Sequence, residues 1–161
     1  MMQPAPCVDS SAGKIFRSVG ALIIDVQGRM LLQRRDTKTS IYFPGLWGVF
    51  GGSCEGSETP EAAIVREIRE ELSIGVSAVK LFLRWTINCP ELGEDQRDRY
   101  FFSVLFDPSM VEAIRLGEGQ EFRFFAVNDL PRVSEIVPFD LAAVSMFSHA
   151  RVLGSQIRPR P

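Results

Sequence analysis

Four of the five glutamates between positions 58 and 71 combine a residue type and a spacing that could hold a metal ion. Glu67, Glu70 and Glu71 lie in a segment of helical character, and at about 100° per residue they occupy an arc of about 100° on one face. Carboxylates that converge repel one another unless a cation lies between them, and oxygen ligands suit Mg²⁺ or Mn²⁺ better than zinc. Glu58 ends a glycine-rich loop, where backbone can approach a phosphate and a fourth carboxylate can join the metals. The pattern therefore indicates metal-assisted phosphate chemistry.

The same helix also has a simpler interpretation, because soluble helices normally carry charge on the face that meets water. Two details favour a site. Arg66 is interleaved with the glutamates, where it could orient them without neutralising all of them, and a glycine-rich loop precedes the helix. We expect Val65, Ile68 and Leu72 to anchor the opposite face in the core. Ala63, on the acidic side, is small enough to allow a close approach.

The elements that must position these residues alternate irregularly between strands and helices. Thr59 and Pro60 are a typical helix start, with a hydroxyl as N-cap and proline at the first helical position. We expect this helix to run to about Leu72 and Gly75 to stop it. The irregular order favours an α+β fold, a mixed β-sheet between helices, over a doubly wound fold. The predicted strands are 15–25, 29–35, 46–50, 79–89, 99–107 and 121–127, and the other predicted helices are 108–114 and 139–150.

Length and composition are those of one ordinary globular domain. With 161 residues, 45% of them hydrophobic, and a net charge of −2, the chain is sized for a single core, and its bulk charge argues against nucleic acid as a partner. One histidine and three cysteines without metal-ligand spacing exclude a His-rich zinc site. No signal peptide or membrane-length apolar run is present, so we expect a cytoplasmic protein without a membrane partner. We divide the chain into a leader at 1–13, one domain at 14–153 and a tail at 154–161.

The segment from Gly52 to Ile74 resembles the Nudix box, the signature of the Nudix (MutT-like) hydrolases. The family pattern is Gly, five residues, Glu, seven residues, then Arg-Glu-aliphatic-x-Glu-Glu-x-Gly-aliphatic, and eight of its nine specified positions match. The departure is Ser73, which stands where the family has glycine, so we expect the helix to end slightly differently. So many spaced and specified positions make this a strong signal. The resemblance spans residues 15–150 and implies the Nudix α/β/α sandwich.

What the resemblance implies is hydrolysis of a nucleoside diphosphate linked to a further group X, with water attacking one phosphorus of the pyrophosphate. It assigns metal binding, with Mg²⁺ or Mn²⁺ as the ion, to Glu67, Glu70 and Glu71, and a supporting place to Glu58. Glu67 and Glu70 are thereby catalytic candidates, together with Arg66 as the partner that orients glutamates. A salt bridge that only stabilises the helix is the alternative role for Arg66.

The general base is open, because the family recruits it from different places. Glu67 is one candidate. The loop at 116–121 offers Glu118 and Glu121, since its glycines make it mobile and these acids lie outside the box. We favour Glu118 as the catalytic residue. The alternative for both is an acidic loop that is simply solvated.

Residues that flank the box are candidates for substrate binding. Arg34 and Arg35 end a predicted strand that leads towards the glycine-rich loop, where a guanidinium could clamp a phosphate with two hydrogen bonds. Side chains alternate along a strand, so at most one of the two should face the site. Gly51 and Gly52 allow the backbone itself to approach a phosphate.

Three aromatic residues, Tyr42, Phe43 and Trp47, precede the box. An aromatic ring at this place could stack on a nucleobase, although packing in the core or in a lid is the commoner role. Trp47 is the candidate that we carry forward for substrate contact.

Our expected substrate is a nucleoside triphosphate, because the chain is short and carries no added domain. A nucleotide sugar or another nucleoside-diphosphate conjugate is the alternative within the enzyme hypothesis. A catalytically inactive nucleotide-binding module is the alternative of another class, but lost catalysis should appear as substituted box glutamates, and none is substituted. The expected partner is thus a small nucleotide, and the resemblance is compatible with a homodimer.

Overall fold

The structure, a computed structural model, describes residues 16–92 and 94–157. The predicted leader at 1–13 and the last four residues of the predicted tail, 158–161, lie outside the described residues. The two α-helices are α1 (Pro60–Leu72) and α2 (Pro138–Ile157). Short 3₁₀ helices are Pro90–Leu92, Pro108–Ala113, Val127–Asp129 and Val133–Glu135.

Six strands form one mixed sheet. They are β1 (Phe16–Asp25), β2 (Met30–Arg34), β3 (Trp47–Gly48), β4 (Lys80–Cys89), β5 (Glu94–Phe106) and β6 (Glu121–Phe125). The strand order is β3-β2-β1-β5-β4, and β6 also pairs with β2. β1 runs parallel to β5 over its whole length, whereas the other pairings are antiparallel. The sheet therefore has the mixed character that the sequence predicts.

Both faces of β1 are buried, because a helix covers each side of the sheet. Val19, Ala21 and Ile23 pack in the core cluster that contains the buried residues of α1. The alternate residues Leu22 and Ile24 pack in the second cluster, with the buried residues of α2. This alternation follows from the two-residue period of a strand. The result is an α+β fold with a mixed sheet between helices, and this confirms the predicted fold class.

Besides the last helix, three predicted elements differ in extent or in type. The strand expected at 46–50 is reduced to β3, because the chain after it stays beside β1 only through isolated bridges, Ala21 to Phe50 and Ser18 to Ser53. β5 begins at Glu94 and not at residue 99, and the helix expected at 108–114 is a 3₁₀ helix.

Both ends of α1 are as predicted, whereas the residue that stops the helix is not. Thr59 is the N-cap, and its side chain accepts a hydrogen bond from the Ala62 N–H. The helix ends at Leu72, and Ser73 takes the left-handed conformation, with φ 57° and ψ 24°. Its N–H donates to the carbonyl of Arg69. The expectation that Gly75 stops the helix is therefore wrong, since the serine at the box glycine position adopts the conformation itself.

The buried face of α1 is rotated towards its acidic side. Val65, expected in the core, is 38% exposed, whereas Ala63, expected beside the acids, is fully buried in the core together with Ile64. Glu71 is buried as well. The expectation for Val65 is wrong because the helix packs its acidic side, which includes Ala63, against the rest of the molecule.

The last helix is longer than predicted. α2 covers Pro138–Ile157, so residues 154–157 of the predicted tail are helical. Neither α1 nor α2, as far as the structure describes them, is long and apolar enough to cross a membrane. The N-terminal end of α2 lies beside the loop that follows β3, since the Val137 N–H donates to the carbonyl of Trp47. This contact brings the second helix to the edge of the site.

Candidate active site

The loop at 49–53 runs along the backbone of β1. The Val19 N–H donates to the carbonyl of Gly52 at 2.8 Å, and the Ala21 N–H donates to the carbonyl of Phe50 at the same distance. Gly51 has φ 134°, and a Cβ there would lie 2.3 Å from the carbonyl oxygen of Val19. Only glycine allows this approach. The loop is thereby fixed with the Gly51 N–H directed towards α1.

Glu71 accepts a hydrogen bond from the N–H of Gly51. The Gly51 N–H donates to Glu71 Oε2 at 2.7 Å, and Gln33 Nε2 donates to Glu71 Oε1 at 3.2 Å. The residue is only 5% exposed. Burial raises the pKa of its carboxyl group from 4.5 to about 7, against the lowering effect of these two hydrogen bonds. Gln33 was missed in the sequence, where its one signal is a polar residue directly after the apolar run at 30–32.

Glu67 lies against the next glycine of the loop. A Cβ at Gly52 would lie 2.5 Å from Glu67 Oε1, so the carboxylate occupies the space that any other residue would need. Burial raises the pKa of Glu67, while the hydrogen bond from the Arg66 guanidinium lowers it. Glu67 and Glu71 are thus two partly desolvated carboxylates beside one loop.

Arg66 ties the remaining glutamates together. Its Nε and Nη2 donate to the two oxygens of Glu58 at 3.1 and 3.0 Å. Its Nη1 donates to Glu67 at 2.9 Å and to Glu70 at 3.0 Å. The hydrogen bonds from Arg66 lower the pKa of Glu58. Arg66 also donates to the carbonyl of Ser53, so its guanidinium orients the carboxylates and holds them to the loop.

The loop that carries Glu118 is fastened to the C-terminal end of α1. The Gly117 N–H donates to the carbonyl of Glu71 at 2.8 Å, and the Gln120 N–H donates to the carbonyl of Arg34 at 2.8 Å. Glu118 is near enough to act electrostatically on Glu67 and Glu71, and its charge raises the pKa of both. Glu121 instead lies on β6, where it pairs with Arg34 at 3.9 Å. Of the two loop acids, the structure places Glu118 beside the box glutamates.

Two adjoining cavities meet at the glycine loop. The acidic cavity, of about 420 Å³, is lined by residues that include Gln33, Arg35, Lys38, Gly51, Gly52, Glu71 and Glu118. The aromatic cavity, of about 290 Å³, is lined by residues that include Ser18, Arg35, Tyr42, Phe43, Gly51, Gly52, Arg97, Arg99, Phe139 and Asp140. Arg35, Gly51 and Gly52 border both cavities. One elongated ligand could therefore lie across both.

The structure separates the candidate substrate residues into two groups. Arg35 borders both cavities, and its Nε donates to the carbonyl of Tyr42, whereas Arg34 pairs with Glu121 and borders neither of them. This is the alternation expected of neighbouring strand residues. Trp47 is 6% exposed and packs edge-to-face on Phe125 in the second core cluster, so it does not reach either cavity. Tyr42 and Phe43 are the aromatic side chains that do.

The aromatic cavity also contains residues that the sequence did not single out. Arg97, Arg99 and Asp140 come from β5 and from the first turn of α2. Arg99 Nη2 donates to Asp140 Oδ1 at 2.7 Å, and the guanidinium of Arg97 lies 5.5 Å from the ring of Tyr42. The pairing of β1 with β5 is long-range, so no local pattern could have placed these residues beside the glycine loop.

The chemistry of the acids suits a divalent cation. In the side-chain positions described, no group of three Asp, Glu, His or Cys residues is arranged to hold a metal, because Arg66 engages Glu58, Glu67 and Glu70. The donors are nevertheless all oxygens, and partial burial makes an uncompensated charge on Glu67 and Glu71 costly. Hard cations such as Mg²⁺ and Mn²⁺ prefer such donors. Glu67, Glu70 and Glu71 could supply them once the Arg66 contacts rearrange.

Comparison with known proteins shows the family of the chain. The sequence profile of the NUDIX domain matches residues 14–145. The RNA pyrophosphohydrolase of Gluconacetobacter diazotrophicus is 39% identical over 134 residues, which cover 74% of this chain and 80% of that protein. The CTP pyrophosphohydrolase of Escherichia coli is 43% identical over 56 residues, which cover 35% of this chain and 40% of that protein.

Solved structures share the fold at lower identity. The MutT protein of Methanosarcina mazei matches with a TM-score of 0.69 at 19% identity, over 85% of this chain and 95% of that one. The NUDIX domain of Shewanella oneidensis NrtR, solved in complex with ADP ribose, matches with a TM-score of 0.67 at 17% identity, over 91% and 94% of the two chains. With this fold, these box glutamates and the profile match, the chain belongs to the NUDIX family of hydrolases that act on phosphoanhydride bonds. Members of this family generally use divalent metal ions.

Proposed function

We propose that this chain is a Mg²⁺-dependent pyrophosphohydrolase that cleaves the pyrophosphate bond of a nucleoside diphosphate linked to a further group. The proposed substrate is a nucleoside triphosphate, which would give a nucleoside monophosphate and pyrophosphate. The observation that carries the proposal is the junction of the two cavities at Gly51, Gly52 and Arg35. The acidic cavity suits the phosphates and their metal, and the aromatic cavity suits the nucleoside.

The metal ligands proposed are Glu67, Glu70 and Glu71, with Glu58 supporting them through Arg66. When bound, a divalent cation neutralises charge on the phosphate oxygens and favours the loss of a proton from water. Arg66 is then a positioning residue, because its contacts run to carboxylates and to the carbonyl of Ser53. It fixes the positions of the loop and of the carboxylates relative to each other.

The protein's own groups would complete the reaction. Arg35, at the junction of the cavities, would bind a phosphate through its guanidinium. The N–H of Gly51 serves Glu71, so the loop contributes by fixing that carboxylate. Glu118 is the proposed general base: it borders the acidic cavity and would take the proton of the attacking water as the bond from phosphorus to the bridging oxygen breaks.

A second substrate is favoured by one comparison. The relative that matches over 80% of its length is an RNA pyrophosphohydrolase. The triphosphate at the 5′ end of an RNA presents the same phosphates and the same first nucleoside as a free nucleoside triphosphate. A net charge of −2 argues against extended binding to nucleic acid, but recognition of one end needs only local contacts.

The test is hydrolysis of a panel of substrates with Mg²⁺, with Mn²⁺ and with EDTA. The panel holds the nucleoside triphosphates, nucleotide sugars and a short RNA with a 5′-triphosphate, and chromatography resolves the products. We expect cleavage of triphosphates that EDTA abolishes, with nucleoside monophosphate and pyrophosphate as products. Cleavage confined to nucleotide sugars, or the same rate in EDTA, would contradict the proposal.

The matched variants are Glu70→Gln and Glu61→Gln. Both change one carboxylate of α1 to an amide, but Glu61 lies in the first turn of the helix and is exposed. We expect Glu70→Gln to lower kcat by about 100-fold or more, the scale on which a displaced catalytic group acts, and Glu61→Gln to retain the wild-type rate. Equal effects of the two variants would show that Glu70 does not belong to the site. If nucleotides bind but none is cleaved, the chain is a binding module.

A further inference from the structure

The inner wall of the aromatic cavity is built by three polar residues from three elements. Ser18 comes from β1, Arg99 from β5 and Asp140 from the first turn of α2. Ser18 is 2% exposed and Asp140 is 1% exposed, so both are polar side chains placed deep in the fold. Arg99 lies over the ring of Phe101, 5.1 Å from its centre, which fixes the plane of the guanidinium.

The carboxylate of Asp140 is engaged on both oxygens. Oδ1 accepts a hydrogen bond from Arg99 at 2.7 Å, and Oδ2 accepts one from the Val49 N–H at 3.0 Å. A Cβ at Gly48 would lie 2.9 Å from Oδ2, so the absence of a side chain at Gly48 makes room for the carboxylate. Asp140 is therefore held in position, and its charge is balanced by Arg99.

Two hydrogen-bond donors on this wall, unlike the carboxylate of Asp140, have no partner among the described residues. They are the Oγ of Ser18 and the Nε of Arg99, and both are buried. A buried polar group without a partner costs free energy, and native proteins contain few of them. Both side chains line the same cavity. A ligand in that cavity is the partner that would satisfy them.

We propose that this wall recognises the edge of the nucleobase and makes the enzyme prefer keto bases to amino bases. The inference rests on the proposed function, which places the nucleoside in the aromatic cavity. Tyr42, Phe43 and Phe139 supply the aromatic sides that suit a planar ring. Guanine, hypoxanthine, uracil and thymine are the keto bases, and adenine and cytosine are the amino bases.

The chemical reason is the excess of donors. The Nε of Arg99 can only donate, and the hydroxyl of Ser18 can donate, while the one carboxylate of the wall is already engaged. A ring carbonyl accepts hydrogen bonds and would satisfy these donors. The exocyclic amino group of adenine or cytosine is itself a donor, so it cannot pair with the Nε of Arg99, and only the hydroxyl of Ser18, acting as an acceptor, could pair with it. Sites of this kind discriminate strongly, because the wrong ligand leaves buried polar groups without partners.

The test compares kcat/KM for ITP and ATP, whose bases differ at position 6, a carbonyl in ITP and an amino group in ATP, and at N1, which carries a hydrogen only in ITP. We expect ITP to be preferred by about ten- to a hundredfold, with UTP preferred to CTP in the same direction. The Ser18→Ala variant should reduce the ratio about two- to tenfold, the share of one neutral hydrogen bond. The control is Ser77→Ala, which removes an exposed hydroxyl that borders neither cavity and should keep the wild-type ratio. A wild-type ratio near one would overturn the proposal.

A binding measurement separates this inference from the proposed function. Calorimetric titration of the wild-type protein with IMP and with AMP needs no hydrolysis. If no nucleoside triphosphate is cleaved but IMP binds more tightly than AMP, the proposed function fails and the base preference stands. If triphosphates are cleaved but IMP and AMP bind equally, the base preference fails alone.

Discussion

Glu71 combines a hydrogen-bonded carboxylate with nearly complete burial. The Gly51 N–H and Gln33 stabilise its charged form, yet burial has the larger effect and the pKa is about 7. In the folded protein without a cation, this group therefore holds a proton more tightly than in the unfolded chain. Because the pKa is raised, the stability that the group contributes is present below pH 4.5 and is lost as the pH rises towards 7.

The first prediction concerns Glu71→Gln in EDTA. The wild-type free energy of unfolding should decrease between pH 4.5 and pH 7 by up to ~3 kcal/mol relative to the variant, which lacks the titrating group. Urea unfolding at several pH values measures this difference. Glu70→Gln is the control, because the Glu70 side chain is 58% exposed and this variant should follow the wild-type pH dependence. Parallel pH curves for Glu71→Gln and the wild type would show that the carboxyl group titrates normally.

The second prediction concerns Gly52, where the absence of a side chain leaves room for the carboxylate of Glu67. In Gly52→Ala, the new Cβ would lie 2.5 Å from Glu67 Oε1, so the carboxylate must move. We expect kcat to fall by at least about tenfold, since a small misplacement of a catalytic group is costly, while the melting temperature changes little. The control is Gly75→Ala, where a Cβ would meet no atom within 4 Å. Wild-type kcat for Gly52→Ala would mean that the position of Glu67 does not limit the reaction.

The local sequence predicts the N-cap of α1 but not its C-cap. Thr59 and Pro60 match the preferences of a helix start, and the structure confirms them. At the other end, Ser73 takes a left-handed conformation that costs a residue with a side chain about 1 kcal/mol. The box residues before it nevertheless keep helical geometry up to Leu72. The departure from the family pattern therefore affects stability and not the direction of the carboxylates.

The third prediction follows from that cap. Ser73→Gly should raise the free energy of unfolding by about 1 kcal/mol, because glycine adopts a positive φ without strain. Thermal unfolding in EDTA measures the change. Gly75→Ala distinguishes the two candidate caps: it should be neutral or slightly stabilising, since Gly75 has no positive φ. A destabilised Gly75→Ala together with an unchanged Ser73→Gly would reverse the assignment.

The contact between Arg99 and Asp140 joins the sheet to α2. It links β5 to the first turn of the helix, and the second oxygen of Asp140 fixes the start of the loop at Val49. The acidic residue is almost inaccessible and the arginine is largely buried. The shape of the aromatic cavity therefore depends on the contacts between α2 and the sheet, and not on one segment of the chain.

The fourth prediction concerns the ion pair between Arg99 and Asp140. Asp140→Ala should lower the free energy of unfolding by about 3 kcal/mol, because it leaves a largely buried guanidinium without its partner. Urea unfolding measures the loss. The double variant Arg99→Met, Asp140→Ala should lose less than the single variant, since no buried charge is left behind. A double variant that is as unstable as the sum of its parts would show that the ion pair itself is not the cause.

Much of the fold was accessible from local patterns. The run of apolar residues in β1, the N-cap at Thr59 and the succession of strands and helices along the chain were each predicted, since period and capping act over a few residues, whereas the order of the strands within the sheet was not predicted. Which face of α1 is buried was not predictable, because it depends on the elements that the helix packs against. In the structure Val65 is exposed and Ala63 is buried. Arg34 and Arg35 show both cases, since alternation predicted that they would face apart, but only the structure shows that Arg35 is the one at the cavities.

The sequence by itself determined the residues of the candidate site: four glutamates and an arginine at fixed intervals, in a helix and in the glycine loop before it. That information is local, because helical geometry converts spacing along the chain into a shared face. The tertiary structure decided which carboxylate loses its solvent, with Glu71 buried and Glu70 exposed. It also brought Ser18, Arg99 and Asp140 from three distant segments to one wall. The physical reason is that desolvation and long-range pairing depend on the packing of the whole chain, which no short pattern contains.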